Sequence, residues 1–357
     1  MKNKLTLMGL ALTLSTATYG QIFKLNADVS ALPPALQAEA LNAIQKIEND
    51  LNKDLPSGSP KRLMEGMADS SAISGKGVGS DYASGMQVLM VGAGVGVGAD
   101  LEKDKTTDSD LSGIAAQAAV VVGMNLGFLD AQKILGMDTN KLNMYISGMS
   151  YNLNRKTGKD DKDTIKAKLT SFGVHFRYDW IQGSSSKLFG WGGVKIHTGY
   201  EYSRSKYSFT TRINETVNSD VGSGATIDGT LTGTPEASID VATHSIPLEI
   251  SSSVQFLYLF SLYGGLGADF NMGEAKGAGS INANNSTLTC NGGPCAGETA
   301  TVAPTANIDG TGKVTPFWAR AFAGVQLNLP YTRIFVQADK PFGNQVVGAT
   351  AGLRFVY

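Results

Sequence analysis

Within residues 165–181 the side chains alternate from Phe172 onward: Phe172, Val174, Phe176, Tyr178 and Trp180 fall on one parity, and Gly173, His175, Arg177 and Asp179 on the other. A period of two belongs to a β-strand, and a strand with rings on one face and charges on the other divides two environments. The same grammar recurs along the chain. Val91, Ala93, Val95 and Val97 alternate with Gly92, Gly94, Gly96 and Gly98, which predicts a strand with one apolar face and one empty face. Ala118, Val120, Val122, Met124, Leu126 and Phe128 alternate with Gln117, Ala119, Val121, Gly123, Asn125 and Gly127. Further strands are predicted over 141–154, over 190–212 with Val194, Ile196, Tyr200 and Tyr202 outward, and over 238–257 with Ile246, Leu248, Ile250, Val254 and Phe256 outward. Segments 261–273, 313–328 and 331–340 follow, and 349–357 places Leu353, Phe355 and Tyr357 on one face. The total is roughly ten strands, an even number.

The segments before and between these strands carry independent information. Residues 1–20 hold Lys2 and Lys4, a short apolar run and small residues ending at Gly20, the pattern of a cleaved secretory signal peptide. Leu36, Ala40, Ile44, Ile47 and Leu51 then recur at three- and four-residue spacing until Pro56, which predicts an amphipathic helix. Its apolar stripe needs cover: inside a barrel, on the membrane rim, or against another copy. Residues 70–85 are rich in Gly and Ser and read as a flexible or wrapped connection. Between strands, connections at 100–112, 155–163, 213–237 and 273–312 are long and polar, and they alternate with tight links at 182–186, 257–260 and 329–332. Two links break the alternation: 130–140 is long for an inner turn, and 342–345 is short for an outer one. Trp180, Trp191, Tyr258, Tyr331 and Tyr357 fall at one set of strand ends, and Tyr200 and Tyr202 approach the other, as expected where lipid meets water.

The closing strand with its final aromatic ring, the alternating connections and the aromatic ends together resemble bacterial outer-membrane β-barrel proteins over residues 85–357. The resemblance implies an all-β fold, an up-and-down antiparallel transmembrane β-barrel of about ten strands with a short helical N-terminal segment. It divides the chain into a signal peptide (1–20), a helical and Gly/Ser-rich segment (21–84) and the barrel (85–357). It also implies a place in the outer membrane of a Gram-negative bacterium, contact with outer-membrane lipid, and delivery to the barrel-assembly machinery through the C-terminal strand. A soluble sandwich or lipocalin-like barrel would share the period of two, but would not need a terminal aromatic, alternating long and short connections, or Gly and polar residues on its enclosed face. A helical segment ahead of a barrel is similar, in the order of parts alone, to the hatch of long-chain fatty-acid transporters.

Only 17% of residues are charged and the net charge is −1, which gives no electrostatic case for nucleic acid. By parity, His175, Arg177, Asp179, Lys195, His197, Glu201, Glu249, Asp269, Arg320, Asp339 and Arg354 face the lumen, a mixed set that favours neither anions nor cations. The histidines lack the short Asp-x-His and His-x-Ser pairings of outer-membrane proteases and phospholipase, so no catalytic residue, metal or cofactor is expected. Gly75-Lys76-Gly77-Val78-Gly79 lacks the order of a phosphate loop, and the glycines of 92–98 are expected to leave room in the lumen for another stretch of backbone or for the N-terminal helix. Cys290 and Cys295 flank Asn-Gly-Gly-Pro and, in an exported chain, suggest a disulfide that stiffens a loop tip. Two functions fit: a narrow porin-like channel for small solutes, gated by the N-terminal segment, or a closed display barrel whose outer loops mediate adhesion or bind a partner.

Overall fold

The computed structural model describes residue 37 and residues 60–83, 88–101, 113–129, 132–157, 163–185, 188–210, 213–222, 225–283, 286–292, 296–297, 299–302 and 305–357. Ten strands form the wall: β1 (Leu89–Asp100), β2 (Gly113–Asn125), β3 (Leu142–Thr157), β4 (Asp163–Ile181), β5 (Phe189–Thr210), β6 (Ala225–Phe256), β7 (Phe260–Ala283), β8 (Phe317–Leu329), β9 (Thr332–Pro341) and β10 (Val346–Val356). Each pairs antiparallel with the next, and β10 returns to β1 in a register running from Met90↔Val356 to Asp100↔Val346. The ring is closed. Closure is what a bilayer demands, because hydrocarbon offers no partner to an unpaired N–H or C=O.

The burial pattern is inside out for a soluble protein. Val95, Val336 and Phe355 are more than half exposed, while Arg177 and Arg320 are fully buried. An exposed apolar outer face and a charged enclosed face fit lipid outside and a hydrogen-bonded interior. Trp180, Trp191, Tyr258, Tyr331 and Tyr357 are exposed at one end of the cylinder. That inner end also holds the tight turns, where Leu257, Tyr258 and Tyr331 take positive φ. The long inner link is itself folded, with 3-10 turns at Leu126–Phe128 and Thr139–Lys141 around a small hairpin, Lys133–Ile134 with Met137–Asp138. Asn125 ties it down by donating to the Asn140 carbonyl at 3.0 Å.

Toward the outer end the wall is uneven. β6 has 32 residues, about three times the 9–11 that cross a bilayer. Its first residues, Ala225 to Gly233, form a hairpin with the strand Ile213–Gly222, and Thr226 to Gly229 also pair with Ser286–Asn291, which in turn pairs with Thr299–Val302. Thr305–Lys313 extends the sheet along β7. Regions 213–237 and 273–312, read from the sequence as outer loops, are therefore largely sheet. Their Gly, Ser and Thr alternation has no greasy face because no lipid touches them, so hydrophobic period could not reveal the strands. One seam is incomplete: β2 pairs with β3 only from Val120 to Asn125, against Gly148 to Asn143. Above it lies a cavity of about 220 Å³ lined by Ala116, Ala118, Met149, Tyr151, Leu169 and Ser203. Ser171 spans the seam by donating from Oγ to the Ala118 carbonyl at 2.7 Å.

Val95 sits mid-strand on the lipid face, so Val95→Arg should destabilise the folded barrel by roughly 2–4 kcal/mol, with Val95→Ala far milder. The urea midpoint of the heat-modifiable band on gels measures this, and equal midpoints for the two variants would contradict the orientation.

Candidate functional site

The lumen is occupied by the chain itself. Helix α1 (Pro60–Ser74) and residues 75–83 pass down the inside of the ring, and nearly every residue from Met67 to Ala83 is buried. Pro60 opens the helix, where its missing N–H costs nothing. Gly66, Ala68, Ser70, Ser71, Ala72 and Ser74 keep it slim enough to lie close to the wall. Its larger side chains, Met64, Met67 and Ile73, join Val241, Ala275, Val314, Trp318 and Val346 in an apolar collar near the outer mouth. Burial of each large side chain there contributes about 1.5–3 kcal/mol. The wall makes room with glycine: a Cβ at Gly96 would lie 1.8 Å from the Ser74 carbonyl oxygen, and one at Gly98 would lie 2.0 Å from that of Ser70. Below the helix, Gly77 turns the chain at φ +82°, a conformation that side chains resist.

Three charges on this plug meet opposite charges on the wall: Arg62, which donates to Asp100 near the outer mouth, and the fully buried Lys76 and Asp81. Lys76 donates to Glu201 at 2.6 Å and Ser245 at 2.7 Å, and its ammonium lies 3.2 Å from Asp269. Around it, Arg320 donates to Asp269 at 2.7 Å, to Asp339 at 2.5 Å and to Glu249, so the wall's carboxylates are gathered on one side. Five residues further down, Arg333 donates to the Asp81 carboxylate at 2.7 Å, with Arg354 at 3.7 Å. Here the wall's bases converge on backbone too. Arg177 donates to the Asp81 carbonyl at 2.7 Å, Lys195 to that of Tyr82 at 2.8 Å, and Arg354 to that of Gly77 at 3.0 Å. The Tyr82 hydroxyl donates to Glu249 at 2.8 Å, and its ring packs on His197, Tyr263 and Phe322. Buried charges persist only when paired and hydrogen-bonded, and Lys76 and Asp81 meet that condition, while the buried Asp69 accepts from Thr315 and Asn344.

All eleven side chains assigned to the lumen by parity lie on the enclosed side, with Asp179 and Glu201 the most accessible at 25% and 15%. They do not line an open passage. They form a sorted lining, acids around Lys76 and bases around Asp81. Sequence parity missed three partners: Lys76 and Asp81 belong to no strand, and Arg333 was overlooked although it shares the parity of Asp339. Residues 70–85 were read as a flexible or wrapped connection. Instead Ser70 to Ser74 are helix and 75–83 are buried, because in a polar lumen Ser hydroxyls find partners: Ser71 meets Ser203 at 2.9 Å, and Ser70 donates to the Gly113 carbonyl. Apart from Gln37, the helix expected from Leu36 to Leu51 lies outside the described residues, as do the signal peptide and Cys295.

The histidines make separate contacts. His197 Nε2 is 3.0 Å from Ser251 Oγ, His175 is 3.8 Å from Glu201, and His244 meets the Tyr200 hydroxyl at 2.6 Å on the outer face. Among the described residues no group of three or more His, Cys, Asp or Glu is placed to hold a metal ion.

A closed ten-stranded wall with a lipid-facing exterior, a charged interior and an internal plug is an outer-membrane β-barrel. The chain belongs to the Lsa36-like family, which it matches over residues 17–357. Among solved structures it is similar to the translocator domain of the autotransporter NalP from Neisseria meningitidis, at 10% identity over 89% of this chain and 98% of that one, with a TM-score of 0.31. It is also similar to the outer membrane protease OmpT from Escherichia coli, at 8% identity over 78% and 99%, with a TM-score of 0.31. The attachment invasion locus protein Ail of Yersinia pestis matches at 12% identity over 76% and 99%, with a TM-score of 0.22. No curated protein matches.

Removing one member of a buried ion pair leaves the other uncompensated, at a cost of about 3–5 kcal/mol. Asp81→Asn should therefore loosen residues 75–83 inside an intact ring, read as new protease cuts there while the heat-modifiable band persists. Gly96→Val should act through sterics instead and lower the folded yield outright, since Val fits a strand but not the space against Ser74; wild-type yield would contradict the packing.

Proposed function

We propose that this protein is a closed barrel of the Gram-negative outer membrane that holds a raised β-surface outside the cell for adhesion or partner binding. The single observation that carries this reading is the filled lumen: residues 60–83 occupy the axis, the buried Lys76 and Asp81 are paired to charges of the wall, and the buried Asp69 accepts from Thr315 and Asn344. A passage for solutes along that axis would need the plug to leave, which breaks the pairs of Lys76 and Asp81 together. The raised surface supplies the second part. The hairpin Ile213–Gly222 with Ala225 to Gly233 and the strand Thr299–Val302 stand beyond the span, and strand edges of this kind pair readily with an added strand. β10, which closes the ring on β1, is the element offered to the barrel-assembly machinery.

Channel and display separate in two measurements. The purified chain in planar bilayers with potassium chloride should show no discrete conductance, whereas steady openings would favour the porin-like reading. Cells expressing a chain in which residues 213–233 are replaced by a short turn should keep the heat-modifiable barrel and lose adherence to other cells. Undiminished adherence would remove the hairpin from the function.

A further inference from the structure

We propose that the chain threads its own barrel from the outside inward, so that Pro60 opens at the outer face of the membrane and residues 60–83 descend from there to the inner rim. The direction of the thread can be followed on two separate strands. Along β1, whose outer end is Asp100, Arg62 donates to Asp100 at 2.6 Å, Ser70 abuts Gly98, Ser74 abuts Gly96, and Val78 abuts Gly94. Along β6, whose inner end is Phe256, Ser71 meets Thr243, Lys76 donates to Ser245, Tyr82 donates to Glu249, and Ser253 donates to the Ala83 carbonyl. Both ladders descend in step. Pro60 lies against Gly310, which pairs with Gly277, four residues beyond the outer-side Gly273.

Length agrees with a single complete pass. A helix of 15 residues is about 22 Å long, and some nine further residues add up to about 30 Å, enough to cross a hydrocarbon core of about 30 Å. At the lower end the chain enters β1 beside Tyr357, at the inner rim, where Leu89 donates to the Tyr357 carbonyl. The lumen is filled by residues 60–83, and the sequence before Pro60 carries Glu48, Asp50, Lys53 and Asp54, charges that lipid would not accept. The polarity follows from geometry inside the ring and is independent of whether the outer hairpin binds a partner.

The test uses the full chain on intact cells. An epitope tag preceded by a specific protease site is inserted after Gly58, with matched insertions in the outer turn at Gly343 and the inner turn at Tyr258. Antibody and protease should reach the Gly58 and Gly343 insertions on intact cells and the Tyr258 insertion only after permeabilisation. A Gly58 tag that stays unreached on intact cells while the Gly343 tag is reached overturns the proposal. The unaltered chain provides a check free of insertion effects: external trypsin should cut after Lys53 or Lys61, identified by mass spectrometry of the released peptide. Cuts at those lysines only after permeabilisation overturn it equally. Loss of adherence or appearance of conductance would bear on the display reading and leave this topology untouched.

Discussion

The fold depends on lipid being unable to hydrogen-bond. A wall in contact with hydrocarbon has to pair its backbone within itself, and a sheet achieves that by closing. Once closed, this sheet encloses the charged side chains that its alternating strands point inward, in a space with little room for water. Those charges then need partners of their own. Some come from the wall, as when Arg320 draws Asp269, Asp339 and Glu249 together, and the rest come from the plug. Closure outside and neutralisation inside are two consequences of one constraint.

The plug is held by contrasting kinds of contact at different depths. Near the outer mouth the collar of Met64, Met67, Ile73 and Trp318 is apolar and directionless. Lower down, Lys76 and Asp81 are placed five residues apart, so that each reaches the patch of opposite sign. A shift of the thread along the axis would carry each charge away from its partners and toward like charge, which fixes the register of the plug. Glycine supplies the clearance. Gly96 and Gly98 are small because a neighbouring carbonyl lies where a side chain would be.

Much of the wall was legible in the sequence, since lipid on one face and polar contents on the other write a period of two into residues such as Phe172 to Asp179. The strand count, the orientation of Arg177 or Asp269, and the space left by the Gly-rich first strand all follow from that period. What filled the space was not legible. Helix α1 carries few large apolar side chains, Met64, Met67 and Ile73 among them, and from Met67 onward it is enclosed by a wall that is partly polar, so Ser and Ala serve as well as Leu. The β-structure of residues 213–233 was hidden for a related reason: above the membrane neither face of a strand meets hydrocarbon. Sequence period reports an asymmetry of surroundings, and where the surroundings are uniform it falls silent.

Hydrogen–deuterium exchange of the folded, detergent-solubilised chain tests the plug most directly, because it reads residues 75–83 without any substitution. A thread pinned at Lys76 and Asp81 requires amides there to exchange as slowly as those of β1. Exchange as fast as that of an unstructured peptide, with β1 still protected, would mean an unfilled lumen and would contradict the arrangement described above.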